Sequence, residues 1–192
     1  STGFSDLDQM TSGWQKSDLI IIAGRPSMGK TSFAMNMVEH ATLNQDRPVL
    51  VFSLEMPASS LVTRMLSSIG KIDATRMRSG NLLEDDWPRL SSAAQRLKDR
   101  PLFIDDSAGI TPLEMRNRIK QFTRERVEQL RAQWHQEHGA NTPADTESLY
   151  EAAQPGMIMV DYLQLMSGTN SSEGRVQEIS QISRELKGLA RE

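Results

Sequence analysis

An α/β fold with a mainly parallel sheet is the architecture this sequence predicts, and three observations carry the prediction. Apolar runs of strand length alternate with longer segments of helical composition. The runs at Asp18–Ala23, Pro48–Leu54 and Met157–Asp161 are almost continuously apolar, as strands covered on both faces require. A glycine-rich turn joins the first run directly to a helix-forming segment.

Taken in order, Asp18-Leu19-Ile20-Ile21-Ile22-Ala23 is the first strand. The segment from Ser32 through Val38 has helical composition, and Pro48–Leu54 forms the second strand. Pro57 suits the first turn of a helix running to about Ile69, because its missing N–H would be unbonded there anyway. Asp85–Lys98 is a further helix, and Pro101–Asp105 a third strand. Thr111-Pro112-Leu113-Glu114 is a capping box, in which hydroxyl and carboxylate each satisfy a backbone N–H. It opens a long helix to about Trp134. Gly139–Pro155 is polar and reads as loop, with one short helix near Glu147–Ala153. The fourth strand is Met157–Asp161. Thr169–Gly174 has almost nothing to bury and is expected to be a mobile loop. A last helix places Val176, Ile179, Ile182, Leu186 and Leu189 on one face.

Composition sets the bounds. A length of 192 residues suits one domain with a substantial core. The chain is 38% hydrophobic and 24% charged, which is the balance of a globular domain that meets water. No apolar run approaches the roughly 20 residues of a membrane helix, so no membrane partner is expected. The lack of cysteine excludes disulfides and thiolate metal sites and favours a cytoplasmic setting. A net charge of −3 argues against a broad basic surface, so contact with nucleic acid should be local. The polar start at Ser1 and the helical pattern still running at Glu192 suggest part of a longer protein.

Gly24-Arg25-Pro26-Ser27-Met28-Gly29-Lys30-Thr31 matches G-x-x-x-x-G-K-[ST] in the strand-to-helix context that the motif requires. Such a turn aims backbone N–H groups at one point, and the following helix adds partial positive charge. Gly24 through Ser32 are therefore the expected nucleotide-binding residues, with Lys30 on the β- and γ-phosphates. The Thr31 hydroxyl can ligate Mg²⁺. A partner for that ion should be an aspartate ending another apolar strand. Asp161 is favoured, and Asp105–Asp106 stand in reserve, since they also suit turn and cap roles.

Hydrolysis further needs a group to orient and deprotonate water. Tyr162 follows Asp161, so the adjacent acid that often serves is missing. Glu55 fills the vacancy from a strand tip on the same sheet edge. Glu55 as an ordinary helix-start residue is the competing explanation. His135 and His138 lack a third ligand and fit a solvated surface. Trp14, Trp87 and Trp134 are too dispersed for a base-stacking platform. Arg116, Arg118, Lys120, Arg124 and Arg126 mix with acids and suit a solvated or inter-subunit face. In Ser167–Arg175, Gly174 and Arg175 are candidate DNA-phosphate contacts, although the same composition suits an ordinary connector.

Together Gly3-Phe4 after Thr2, Leu7-Asp8, GRPSMGKT, FSLEM around Ser53–Met56, IDDSAGITP at Ile104–Pro112 and VDYLQLM at Val160–Met166 resemble the C-terminal motor domain of DnaB-family replicative DNA helicases. The resemblance implies a RecA-like P-loop NTPase fold and a homohexameric ring. It also implies ATP and Mg²⁺ as ligands, translocation on single-stranded DNA, and primase and a helicase loader as partners. It puts Lys30 and Thr31 on phosphate and Mg²⁺, Glu55 as catalytic glutamate and Asp161 beside the metal. Two departures stand out. A surface insertion is expected at about 127–155. The family's sensor strand, main DNA-binding loop and arginine finger would follow Glu192, and its N-terminal domain and linker helix would precede Ser1, so this piece alone should have little or no activity. A filament-forming recombinase and a nucleotide-dependent switch share the phosphate loop and remain the alternatives.

Overall fold

The computed structural model describes residues 3–13 and 29–161. The first expected strand, the turn up to Met28, the loop around Arg175 and the last helix lie outside the described residues. Two compact units are present, one of Ser1–Ala108 with Met157–Leu163 and the other of Gly109–Gly156 with Gln164–Glu192.

The first unit is built on β1 (Val49–Ser53), β2 (Leu102–Asp105) and β3 (Met157–Asp161). They form a parallel sheet in the order β2-β1-β3. Every residue of β1 is buried, which accounts for its unbroken apolar run. Val49 and Val51 point to one face; Leu50 and Phe52 point to the other. On the first face Val49, Val51 and Met159 meet Ala34, Met35, Val38 and Ala41 of α2 (Lys30–Asn44) and Leu61 and Met65 of α3 (Ala58–Gly70). Each fully buried aliphatic side chain contributes about 1.5–3 kcal/mol by leaving water. The flanking strands depart from the expectation of full burial on the face shared with Leu50 and Phe52, since Phe103 lies opposite Leu50 and Val160 opposite Phe52. Phe103 on β2 and Val160 on β3 are exposed.

Two helices in this unit escape the sequence pattern. α1 (Ser5–Thr11) is reached through Phe4, whose ring stacks on Phe33 of α2 at 5.1 Å. Gly3, at φ +87°, passes so close to His40 that an added Cβ would lie 2.7 Å from its ring. α4 (Ala74–Ser79) precedes α5 (Asp86–Lys98). It is tied to α5 by Asp86, which is wholly buried and accepts from Arg76 at 2.8 and 3.1 Å, from Arg89 at 2.9 Å and from the Leu83 N–H at 2.9 Å. The Arg76 hydrogen bonds above all, then the Leu83 amide, hold the Asp86 carboxyl below its ordinary pKa.

The second unit contains α6 (Pro112–His138) packed on α7 (Thr146–Ala153). Its start realises the capping box: Thr111 Oγ1 accepts from the Glu114 N–H at 3.2 Å, and Glu114 Oε2 accepts from the Thr111 N–H at 2.7 Å. α6 continues past Val127, so the first part of the expected insertion is helix. Trp134 stacks on His138, and His135 and His138 lie in the helix's last turn. Among the described residues, no cluster of three or more His, Asp or Glu could hold a metal. Asp145 caps α7, and its hydrogen bonds from Ser148, chiefly the hydroxyl, lower its pKa. No helix among the described residues is long and apolar enough to cross a membrane.

Candidate nucleotide-binding site

Parallel strands bring their C-terminal tips to one edge, where ligands collect in open α/β sheets. Register fixes the neighbours here: Phe52 lies opposite Asp105, and Ser53 opposite Asp161. The tip of the central strand is therefore flanked by an acid on each side.

The helix α2 supplies the cationic side of this edge. Gly29 is its N-cap, in the left-handed conformation at φ +70° and ψ 15°. Its carbonyl accepts the first intrahelical bond, from the Phe33 N–H at 2.9 Å. The amides of Lys30, Thr31 and Ser32 consequently have no intrahelical acceptor, and the N-cap offers no side-chain one. Three donors without an acceptor among the described residues, the positive end of a 15-residue helix and the Lys30 ammonium form an arrangement suited to an anion. Of the residues expected to bind nucleotide, Gly29, Lys30, Thr31 and Ser32 are placed here. Gly24, Arg25, Pro26, Ser27 and Met28 are outside the described residues, as are Gly174 and Arg175.

From the first turn of α2, Thr31 Oγ1 donates to Asp161 Oδ2 at 3.2 Å, joining residues 130 positions apart in the chain. Asp161 ends β3 and is only 4% exposed. A hydroxyl and a carboxylate are the hard oxygen donors that Mg²⁺ takes, so the pair fits that ion, with nucleotide phosphates and water supplying the remaining ligands. When bound, the ion would neutralise developing charge on the phosphates.

Glu55 stands in the turn between β1 and α3. It precedes the helix, whose N-cap is Pro57 rather than a residue of the expected first turn. Its side chain is exposed, and no hydrogen bond or ion pair holds the carboxylate among the described residues. The turn itself is fastened. The Leu54 N–H donates to the Asp161 carbonyl at 3.2 Å, and Ser53 Oγ donates to the Met56 carbonyl at 2.7 Å.

The reserve aspartates have other occupations. Asp105 Oδ1 accepts from the Ser107 N–H at 2.9 Å, closing a local turn. Asp106 Oδ2 accepts from the Ala58 N–H at 2.8 Å. Arg64 of α3, which carried no signal in the sequence, donates to Ser32 Oγ at 3.2 Å at the N-terminal end of α2. That pairing of residues from two helices has no counterpart in local spacing.

Known proteins resemble this chain along most of its length. A family model described as the DnaB-like helicase C-terminal domain matches residues 1–132 and 141–192. The replicative DNA helicase DnaB of Haemophilus influenzae is 45% identical over 194 residues, covering 100% of this chain and 36% of that protein. The replicative DNA helicase DnaC of Bacillus subtilis is 43% identical over 192 residues, with the same coverage of both chains. The chain thus spans about a third of the length of such relatives. Among solved structures, an ATPase domain superposes with a TM-score of 0.70 at 30% identity, over 100% of this chain and 59% of that one. A DnaB-like replicative helicase, described together with its interactions with primase, gives a TM-score of 0.69 at 30% identity, over 100% of this chain and 40% of that one.

Proposed function

The chain belongs to the DnaB-like helicase C-terminal domain family, and from that premise we propose that it is the nucleotide-hydrolysing motor of a replicative DNA helicase. The observation that carries the reading is the Thr31–Asp161 pair at the open end of α2, with Glu55 in the adjoining turn. The α2 amides and Lys30 bind the phosphates of ATP. Thr31 and Asp161 hold Mg²⁺. Glu55 takes the proton of the attacking water, a contribution of roughly 10²–10⁴ in rate for a well-placed base. Gly24 through Met28 complete the phosphate turn, and Gly174 and Arg175 contact DNA phosphate.

In the whole protein, hydrolysis drives translocation on single-stranded DNA within a homohexameric ring, and primase and a loader engage that ring. The protein works in the cytoplasm. Residues 1–192 belong to one ATPase domain in function, with an insertion at about 127–155. Family membership supports this reading over a recombinase or a switch, both of which share the phosphate loop.

The test is ATP hydrolysis by the full-length protein with and without single-stranded DNA, together with strand separation on a forked duplex. DNA-stimulated hydrolysis with separation is expected. Stimulated hydrolysis that leaves the fork intact would refute the helicase reading, and electron microscopy showing filaments rather than six-fold rings would refute the ring.

A further inference from the structure

We propose that Asp106 is a positioning residue for Glu55, acting through the first backbone amide of α3. The inference rests on Glu55 being the base named above.

Helix starts leave several N–H groups without partners, and a side chain at the N-cap ordinarily satisfies one of them. Here the N-cap is Pro57, whose side chain has no acceptor to offer. The Ser60 and Leu61 amides turn back to the Pro57 carbonyl at 3.0 and 3.3 Å. The Ala58 amide receives its acceptor from 48 residues away, as Asp106 Oδ2 at 2.8 Å. A carboxylate at the positive end of a 13-residue helix is also electrostatically favoured.

Glu55 therefore sits in a short turn with an anchor on each side. Upstream, the Leu54 N–H is held by the Asp161 carbonyl at the tip of β3. Downstream, the Ala58 N–H is held by Asp106, just beyond the tip of β2. Ser53 Oγ closes the span from inside by donating to the Met56 carbonyl. The exposed Glu55 side chain has no contact of its own to fix it among the described residues, so its position depends on the turn that carries it. A displacement of about 1 Å at a reacting group can lower a rate roughly 100-fold. Asp106 thus acts on turnover rather than on nucleotide affinity. The role also gives the IDDSAG segment a function distinct from metal binding.

The experiment uses the full-length protein and measures kcat for ATP, the Kd of a fluorescent ATP analogue with Mg²⁺, and the thermal unfolding midpoint. Asp106→Ala should lower kcat about 10- to 100-fold while the Kd stays within about twofold. Asp106→Asn keeps an acceptor oxygen and should recover most of the loss. Ala58→Pro removes the donor without touching Asp106, and proline is tolerated at a first helical position; it should reproduce the kcat loss even if Asp106→Ala fails to fold. In a Glu55→Gln background, Asp106→Ala should add nothing further. Unchanged kcat in Ala58→Pro, or loss of Mg²⁺-dependent binding in Asp106→Ala, would overturn the proposal and in the second case make Asp106 a metal ligand. A further additive loss on Glu55→Gln would overturn it as well. Near-normal turnover in Glu55→Gln alone would instead remove the role of Glu55 on which it rests.

Discussion

Replacing Gly29 with alanine isolates one physical quantity at the start of α2. Gly29 holds φ +70°, where an L-residue's Cβ crowds the following carbonyl. Nothing lies within 4 Å of the added Cβ among the described residues, so what they oppose is the backbone conformation and not the volume of the methyl group. That strain is about 1–2 kcal/mol. It can be borne by the folded protein, lowering stability, or relieved by turning the α2 amides away from the phosphates, lowering affinity. The two losses together should reach about 1–2 kcal/mol, and if all of it falls on binding, the Kd for ATP rises about 5- to 30-fold. Gly29→Asn should lose less, since asparagine tolerates this conformation. Nucleotide titration and denaturant unfolding on the same preparations give both numbers. A Gly29→Ala protein with unchanged stability and affinity would refute the argument that conformation, not space, selects glycine here.

Three other outcomes follow from the same geometry. Lys30→Ala should weaken ATP binding by about 10- to 100-fold through loss of a charge-assisted phosphate contact, and unchanged affinity in titration calorimetry would count against it. Leu61→Ala, at a side chain with no exposure in the α2–β1–α3 core, should lower unfolding free energy by about 2–5 kcal/mol in a denaturant melt. Asp86 has a folded pKa below its unfolded value, so its stabilisation is present above an unfolded pKa of about 3.9 and is lost as pH falls toward the folded value. Thermal unfolding across that acid range should therefore fall less steeply with pH in Asp86→Asn than in the native sequence, and identical slopes would refute the assignment.

Legibility in the sequence followed the range of the interactions involved. β1 was visible because burial on both faces leaves an unbroken apolar run, and the start of α6 because its capping box joins residues three apart. α4 was not, since six residues show too little periodicity and its main anchor is Asp86 on the next helix. α1 was equally hidden: its approach depends on a Phe4–Phe33 stack that no local pattern encodes. At the site, motif logic named Thr31 and Asp161 separately, and the 130-residue closure between them is a product of sheet topology. Glu55 stands out in the sequence only because Tyr162, not an acid, follows Asp161. The partners of Ala58 and Ser32 had no such prompt, because Asp106 and Arg64 reach them across the fold.

The most direct test of the central claim records phosphate release and strand separation together, on one forked duplex, with the full-length protein, ATP and Mg²⁺. The account predicts that both signals rise together and that both vanish in Glu55→Gln, while that variant still binds nucleotide. Sustained phosphate release without strand separation, or unwinding that survives Glu55→Gln, would contradict it.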